Sequence, residues 1–247
     1  LTYRMTEEDV AKVRGGFDSK PREWVDLGFS EPTLANAYFL ITGSGAYMHN
    51  VSASPIENIG IVEMNEAGSA YRVVWGLMNR KPTSELPTHI MNHAIRMKAT
   101  DGACRVIYHA HPNNIIAMTF VEPLDARTFS RALWKAMTEC VVVFPEGVGV
   151  VPWMVPGGNE IAKATSEQMK SYPAVIWAQH GLFVSGADFD ETFGLMHCIE
   201  KAADIYFRAR TMNGGSNEFL NTITDEGLAQ IGVEFNVEVN KEFLDVQ

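Results

Sequence analysis

Arg105-Val106-Ile107-Tyr108-His109-Ala110-His111-Pro112 is a β-branched and apolar run that ends in two histidines two residues apart. It reads as a strand. Strand side chains alternate faces, so His109 and His111 project from one side, Ala110 points the other way, and both imidazoles can reach one ion. Pro112 lacks an N–H and suits the first turn of a helix, so the strand is predicted to stop at His111 and hand over to Asn113-Asn114-Ile115-Ile116-Ala117-Met118. Both imidazoles then lie at a strand's C-terminal end, a common place for a site.

Around that run are 247 residues, 46% of them hydrophobic, enough for one sizeable core. Thirty acidic against twenty basic residues leave a formal charge of −10, which opposes binding to nucleic acid or to anionic membrane surfaces. An anionic ligand therefore needs a local site. Cys104, Cys140 and Cys198 show no Cys-x-x-Cys spacing, so neither a disulfide framework nor a thiolate zinc knuckle is indicated, and a reducing cytoplasm is the expected location. No apolar run approaches transmembrane length, and no signal peptide is expected before Leu1. Leu1-Thr2-Tyr3-Arg4 is strand-like, and a segment is expected to precede it.

Tyr38-Phe39-Leu40-Ile41 reads as a buried strand running into Thr42-Gly43-Ser44-Gly45, either a tight turn or a phosphate loop whose N–H groups converge on an anion beside the Ser44 hydroxyl. Ile59–Met64 and Tyr71–Trp75 flank Asn65-Glu66-Ala67-Gly68 as a hairpin. Pro82 to Pro87 opens a helix with apolar Ile90, Ala94, Ile95 and Met97 at helical spacing, capped by Thr83 or Ser84. Glu85 then lies in the first turn, where the helix dipole alone justifies an acid. His89 and His93, four residues apart on one helical face, form a second metal-capable pair, yet they lack the Glu of His-Glu-x-x-His and rank below His109 and His111.

Asp125 to Met137 reads as an amphipathic helix, Glu139 as an acid at its unfavourable C-terminal end, and Cys140-Val141-Val142-Val143-Phe144 as a strand. Glu139 is either simply exposed, the favoured reading, or held near a cation or a proton-transfer site. Asn159 caps a helix to about Lys170, and Ala174–Trp177 and Leu182–Val184 read as strands flanking Ala178-Gln179-His180-Gly181. Two imidazoles from one strand and a distant third, His180, make an open tetrahedral site of the catalytic type. A long helix from Asp188 to Met212 is expected to bury Phe189, Phe193, Met196, Ala203, Tyr206 and Phe207, with His197 as a packing residue. His49 has no evident partner.

Five segments then stand in order along nearly the whole chain. They are Thr42-Gly43-Ser44-Gly45, Thr83-Ser84-Glu85-Leu86-Pro87-Thr88-His89, His109-Ala110-His111, Glu146-Gly147-Val148-Gly149-Val150-Val151-Pro152-Trp153-Met154-Val155-Pro156-Gly157 and His180-Gly181. Together they resemble the zinc-dependent class II aldolase and adducin-like superfamily, and within it the branch acting on L-rhamnulose 1-phosphate. The resemblance implies an α/β fold, three-layer α/β/α on a mainly antiparallel central sheet, with residues 1–247 as a single catalytic domain. It implies one Zn2+ per chain on His109, His111 and His180, Glu85 as the base that moves a substrate C–H proton, and a supporting acid–base role for Glu139. Ser44, Gly45, Thr83 and Ser84 would contact the substrate phosphate, and the assembly would be a homotetramer. The family also has a Gly-Gly-Asn phosphate and substrate segment just upstream of the strand matching Leu1 to Arg4, which this sequence does not contain.

The implied reaction is reversible cleavage of L-rhamnulose 1-phosphate to dihydroxyacetone phosphate and L-lactaldehyde through a zinc-stabilised enediolate. Zinc can lower a bound water's pKa by roughly nine units, about 12 kcal/mol of stabilised anion, whereas a helix terminus offers at most about 2 kcal/mol. Related readings are a fuculose 1-phosphate aldolase or a pentulose-phosphate 4-epimerase, which share the zinc site. A cupin-type oxygenase wants a glutamate that Pro112 to Ile116 does not supply, and a non-catalytic adducin-like module would have lost the histidines.

Overall fold

Val106–Ala110 is extended and the next helix, Asn113–Met118, starts two residues after His111, as the spacing requires. The computed structural model describes residues 1–78 and 80–246. Its first elements in chain order are β1 (Thr2–Arg4), α1 (Glu7–Val13), β2 (Val25–Asp26), β3 (Tyr38–Thr42), α2 (Pro55–Asn58), β4 (Ile59–Met64), β5 (Ala70–Gly76) and α3 (Leu86–Ala99). There follow β6 (Val106–Ala110), α4 (Asn113–Met118), α5 (Ala126–Ala136), α6 (Glu139–Val143), β7 (Gly149–Val151) and α7 (Asn159–Gln168). The last are β8 (Ala174–Trp177), β9 (Gly181–Gly186), α8 (Phe189–Met212) and α9 (Asp225–Glu234). Among the described residues no helix is long and apolar enough to cross a membrane.

Two units divide the chain: Leu1–Ile107 with Val155–Ser166, and Tyr108–Met154 with Glu167–Gln247. In the first, strands run in the order β2-β5-β4-β3-β1-β6 with antiparallel neighbours. In the second the order is β6-β9-β8-β7, β8 being antiparallel to β9 and parallel to β7. The α/β class with mainly antiparallel pairing is therefore observed. β6 is shared by sequence, Val106 and Ile107 belonging to the first unit and Tyr108 to Ala110 to the second.

Apolar periodicity explains both cores. In the first unit Leu86, Ile90 and Ala94 of α3 cluster with Phe39, Ile41, Val62 and Met64, each such large side chain contributing about 1.5–3 kcal/mol on burial. In the second, Phe129, Leu133 and Trp134 of α5 and Ile199 and Ala203 of α8 cluster with Ile176, Leu182 and Val184.

Four local expectations are corrected. Cys140 to Val143 is helical: the Phe144 N–H donates to the Cys140 carbonyl, and this turn buries Cys140, Val141 and Phe144 while Val143 faces out. Packing of α6 overrides the β-propensity of three consecutive valines. Helix α8 buries Leu195, Met196, Ile199, Ala202, Ala203 and Tyr206, leaving Phe193 and His197 exposed and Phe189 partly so. Met196, Ala203 and Tyr206 are buried and Phe207 half-buried as expected, whereas Phe189 and Phe193 are not buried and His197 is no packing residue. Glu85, not Thr83 or Ser84, occupies the cap position of α3. Asn159 is the first residue inside α7, its side-chain amide turned to the carbonyls of Leu27 at 3.4 Å and Gly28 at 3.5 Å.

Candidate metal centre and anion site

His109, the fourth residue of β6, and His111, one residue past its end, face the same way, as strand alternation demands. Their ring centroids lie 5.0 Å apart, and His180 completes a triangle at 5.1 Å from His109 and 5.0 Å from His111. One ring nitrogen from each lies within 4.8 Å of the others, the only such group of three potential ligands among the described residues.

His180 is placed by a turn that the backbone does not adopt for nothing. Gln179 has φ of +55°, and that left-handed residue is held by its N–H to the Thr119 hydroxyl at 3.0 Å and its side-chain amide to the Thr119 carbonyl at 2.9 Å. Trp177 pairs with Gly181 to close the β8–β9 hairpin around His180. Gly181 has no room to be anything larger, since a Cβ there would lie 2.3 Å from the Ala110 carbonyl oxygen and 3.1 Å from Cδ2 of His111.

The second ring nitrogens show that the donors suit a metal. Nδ1 of His109 lies 3.2 Å from the Leu182 carbonyl, so Nδ1 carries the proton and Nε2 is left as a lone pair. That Nε2 is buried and has no hydrogen-bond partner among the described residues. Burial first, then the neighbouring imidazoles His111 and His180, bring the His109 pKa down to about 3, and burial followed by His111 lowers that of His180. Two imidazoles that burial holds below their ordinary pKa and a third beside them bring three ring nitrogens together in the way a cation requires. Phe183 stacks on His109 with centroids 4.2 Å apart and forms an apolar wall behind it.

His89 and His93 do something else. Each is 1% exposed, and both imidazoles bind one hydroxyl, that of Thr2, through His89 Nδ1 at 2.9 Å and His93 Nε2 at 2.8 Å. They are a buried structural clamp between α3 and β1, not a solvated pair. Burial lowers the His93 pKa to about 3. His49 lies beside Tyr47, ring centroids 5.8 Å apart.

Glu85 is only 7% exposed, although it stands at a helix start. Its carboxylate does not cap α3; Oε2 instead accepts from the Gly157 N–H at 3.1 Å. Burial raises its pKa, and the Gly157 bond offsets only part of that. Pro87 in the first turn removes one helical N–H that a cap would otherwise serve. Gly157, with φ of +82°, is the last residue of the Glu146–Gly157 segment.

Ser44 and Gly45 lie on one segment and Thr83 and Ser84 on another, joined by backbone bonds from Ser44 N–H to the Lys81 carbonyl at 2.8 Å and from Thr83 N–H to the Thr42 carbonyl at 3.0 Å. The nest reading is thereby narrowed. The Gly43 N–H is taken by the Asn58 carbonyl and the Ser44 N–H by Lys81, so Ser44 offers its exposed hydroxyl and not its amide. Glu139 is the exposed first residue of α6, where a helix N-terminus favours negative charge, so it is not the misplaced acid that a preceding helix end suggested.

A family model described as class II aldolase and adducin N-terminal domain matches residues 20–207. The chain belongs to the class II aldolase and adducin family. It is 44% identical over 238 residues to a protein from Shigella sonnei (strain Ss046) named rhamnulose-1-phosphate aldolase, covering 96% of this chain and 85% of that one. A protein of the same name from Enterobacter sp. (strain 638) is 43% identical over 247 residues, covering 100% of this chain and 88% of its own. Among solved structures, a sugar-phosphate aldolase from Thermotoga maritima superposes with a TM-score of 0.70 at 28% identity, over 88% of this chain and 86% of that one. Within the class II aldolase family, the three converging imidazoles mark the place where a metal fits this chain.

Proposed function

We propose that this chain is a zinc-dependent sugar-phosphate aldolase, working as one catalytic domain of a cytoplasmic homotetramer. Its substrate is L-rhamnulose 1-phosphate, cleaved reversibly to dihydroxyacetone phosphate and L-lactaldehyde. The observation that carries the reading is the buried, unpartnered Nε2 of His109 converging with His111 and His180 in a class II aldolase chain. His109, His111 and His180 hold the ion. Bound there, zinc would supply Lewis-acid stabilisation of the negative charge that C–C cleavage develops.

The remaining work falls to side chains. In the cleavage direction the C4 hydroxyl loses its proton, the C3–C4 bond breaks to leave a C4 aldehyde, and C3 takes up the electron pair and then a proton. Glu85 is the group that delivers that proton, and removes it in the reverse direction, because burial gives its carboxyl a raised pKa and the Gly157 N–H holds one oxygen in place. Glu139 manages the proton of the aldehyde oxygen. The hydroxyls of Ser44, Thr83 and Ser84 and the backbone at Gly45 take the phosphate.

The test is retro-aldol cleavage of rhamnulose 1-phosphate, fuculose 1-phosphate and ribulose 5-phosphate with and without a chelator. Chelator-sensitive release of dihydroxyacetone phosphate, fastest from rhamnulose 1-phosphate, is the expected result. Preference for fuculose 1-phosphate, or epimerisation of ribulose 5-phosphate without cleavage, would reassign the substrate; activity indifferent to exhaustive chelation would remove the metal.

A further inference from the structure

A phosphate dianion on a chain of net charge −10 is held more tightly where a cation lies close by, and none of Ser44, Gly45, Thr83 and Ser84 carries one. We infer that Arg80 is the charged phosphate ligand of this site and sets its preference for phosphorylated over unphosphorylated sugars. This rests on the proposed reading that the substrate phosphate lies at the Ser44–Gly45 turn.

Arg80 is built into that turn. Its main chain is fixed on one side by Arg22, whose guanidinium donates to the carbonyls of Arg80 at 2.8 Å, Gly76 at 3.1 Å and Met78. From there its side chain runs across Gly43 to Gly45, Nη1 donating to the Ser44 carbonyl at 3.3 Å. Gly43 leaves it room, since a Cβ there would lie 3.1 Å from Cδ of Arg80 as well as 3.0 Å from Cδ2 of Leu77, while a Cβ at Gly45 would meet Nη1 at an ordinary contact distance of 3.7 Å. Gly45, at φ of +68°, also needs the left-handed backbone that glycine adopts freely.

The guanidinium has capacity to spare. A guanidinium carries five N–H donors in a planar fork, and among the described residues Arg80 gives a side-chain hydrogen bond to one acceptor and has no carboxylate partner. Its anchor is a neutral carbonyl, so among the described residues its charge has no ion-pair partner. Arg22, by contrast, is committed to three carbonyls. A planar fork held at the Ser44 carbonyl, on the turn that also carries the exposed Ser44 side chain, suits two phosphate oxygens in one plane, a geometry that a lysine does not preorganise.

Arg80→Ala, Arg80→Lys and Lys81→Ala variants of the full chain separate this role from a structural one. Two readouts are needed: KM and kcat for rhamnulose 1-phosphate against rhamnulose, and binding of inorganic phosphate by calorimetry. Loss of a charge-assisted bidentate contact is expected to raise KM for the phosphorylated sugar about 10- to 100-fold with kcat nearly held, and to leave the unphosphorylated sugar unaffected. Arg80→Lys should recover part of the loss, and Lys81→Ala, whose side chain faces solvent, should change little. Equal loss on both sugars would make Arg80 a structural clip, and unchanged KM and phosphate binding would overturn the inference outright. If the chain proves not to cleave these sugars, the aldolase reading falls by itself, while phosphate binding that weakens in Arg80→Ala still supports Arg80 and binding that does not weaken still refutes it.

Discussion

Replacing Gly181 by alanine adds one methyl group beside the proposed metal centre and replaces none of its three histidines. That carbon would lie 2.3 Å from the Ala110 carbonyl oxygen and 3.3 Å from its carbon, where ordinary C···O approaches between neighbouring strands are no closer than about 3.3 Å. About 1 Å of overlap must be relieved, and with 3.1 Å to Cδ2 of His111 the imidazole cannot absorb it by swinging toward Gly181. The relief has to come from moving Ala110 and His111 away from residues 180 and 181, which spreads the triangle of ring nitrogens. Overpacking of this kind costs about 1–3 kcal/mol of stability, and a ligand displacement near 1 Å costs on the order of a hundredfold in rate. Gly181→Ala should therefore lower zinc affinity in a chelator competition by at least tenfold, lower kcat more than KM, and lower the melting temperature of the metal-free protein. Wild-type zinc affinity together with wild-type kcat would show that close approach at Gly181 does not position His111 and His180, and the account of the centre given above would be wrong.

Metal analysis of His109→Ala and His180→Ala should show loss of bound zinc, whereas His89→Ala and His93→Ala should keep the zinc and lose stability, because each empties one side of the buried Thr2 hydroxyl. Glu85→Gln should retain zinc and dihydroxyacetone phosphate binding but suppress exchange of the C3 proton with deuterium, while Glu139→Gln leaves much of the exchange intact; the opposite pattern would swap the two roles. A pH series of urea unfolding on the metal-free chain tests the buried imidazoles. His93 and His109 titrate near 3 when folded and near 6.5 when unfolded, so the unfolded state binds the extra protons. Stability should be full above about pH 6.5 and fall as pH drops toward 3, by up to about 1.4 kcal/mol per pH unit for each histidine, and His93→Gln should flatten its share. A flat profile between pH 6.5 and 5 would contradict their burial as neutral rings.

What the sequence disclosed and what it withheld follow from range. His109 and His111 were legible because a period of two is a local property, and the helix after Pro112 because proline acts on its own neighbours. Cys140 to Phe144 was not, since three consecutive valines favour a strand until α8 offers a surface that takes Cys140 and Val141 from a helical turn. The burial of His89 and His93 depends on a hydroxyl 87 and 91 positions away, beyond any windowed pattern. Glu85 was legible only as a first-turn acid; that its carboxylate turns from the cap to the Gly157 amide depends on a loop 72 residues downstream. Arg80 stood within three residues of Thr83 and went unread, because its partners Gly43 to Gly45 lie across a strand pairing that the linear chain does not show.

The five residues of β6 also constrain how this chain can change by descent. Val106 and Ile107 are registered against Tyr3 and Thr2, and the imidazoles follow two and four residues after Ile107. A substitution in the strand alters one side chain, but one inserted or deleted codon between Ile107 and His109 inverts the parity of everything downstream and turns both imidazoles to the opposite face. Length variation among descendants of this gene should accordingly spare Val106 to His111 and collect in the connections, with any tolerated change inside the strand arriving two codons at a time.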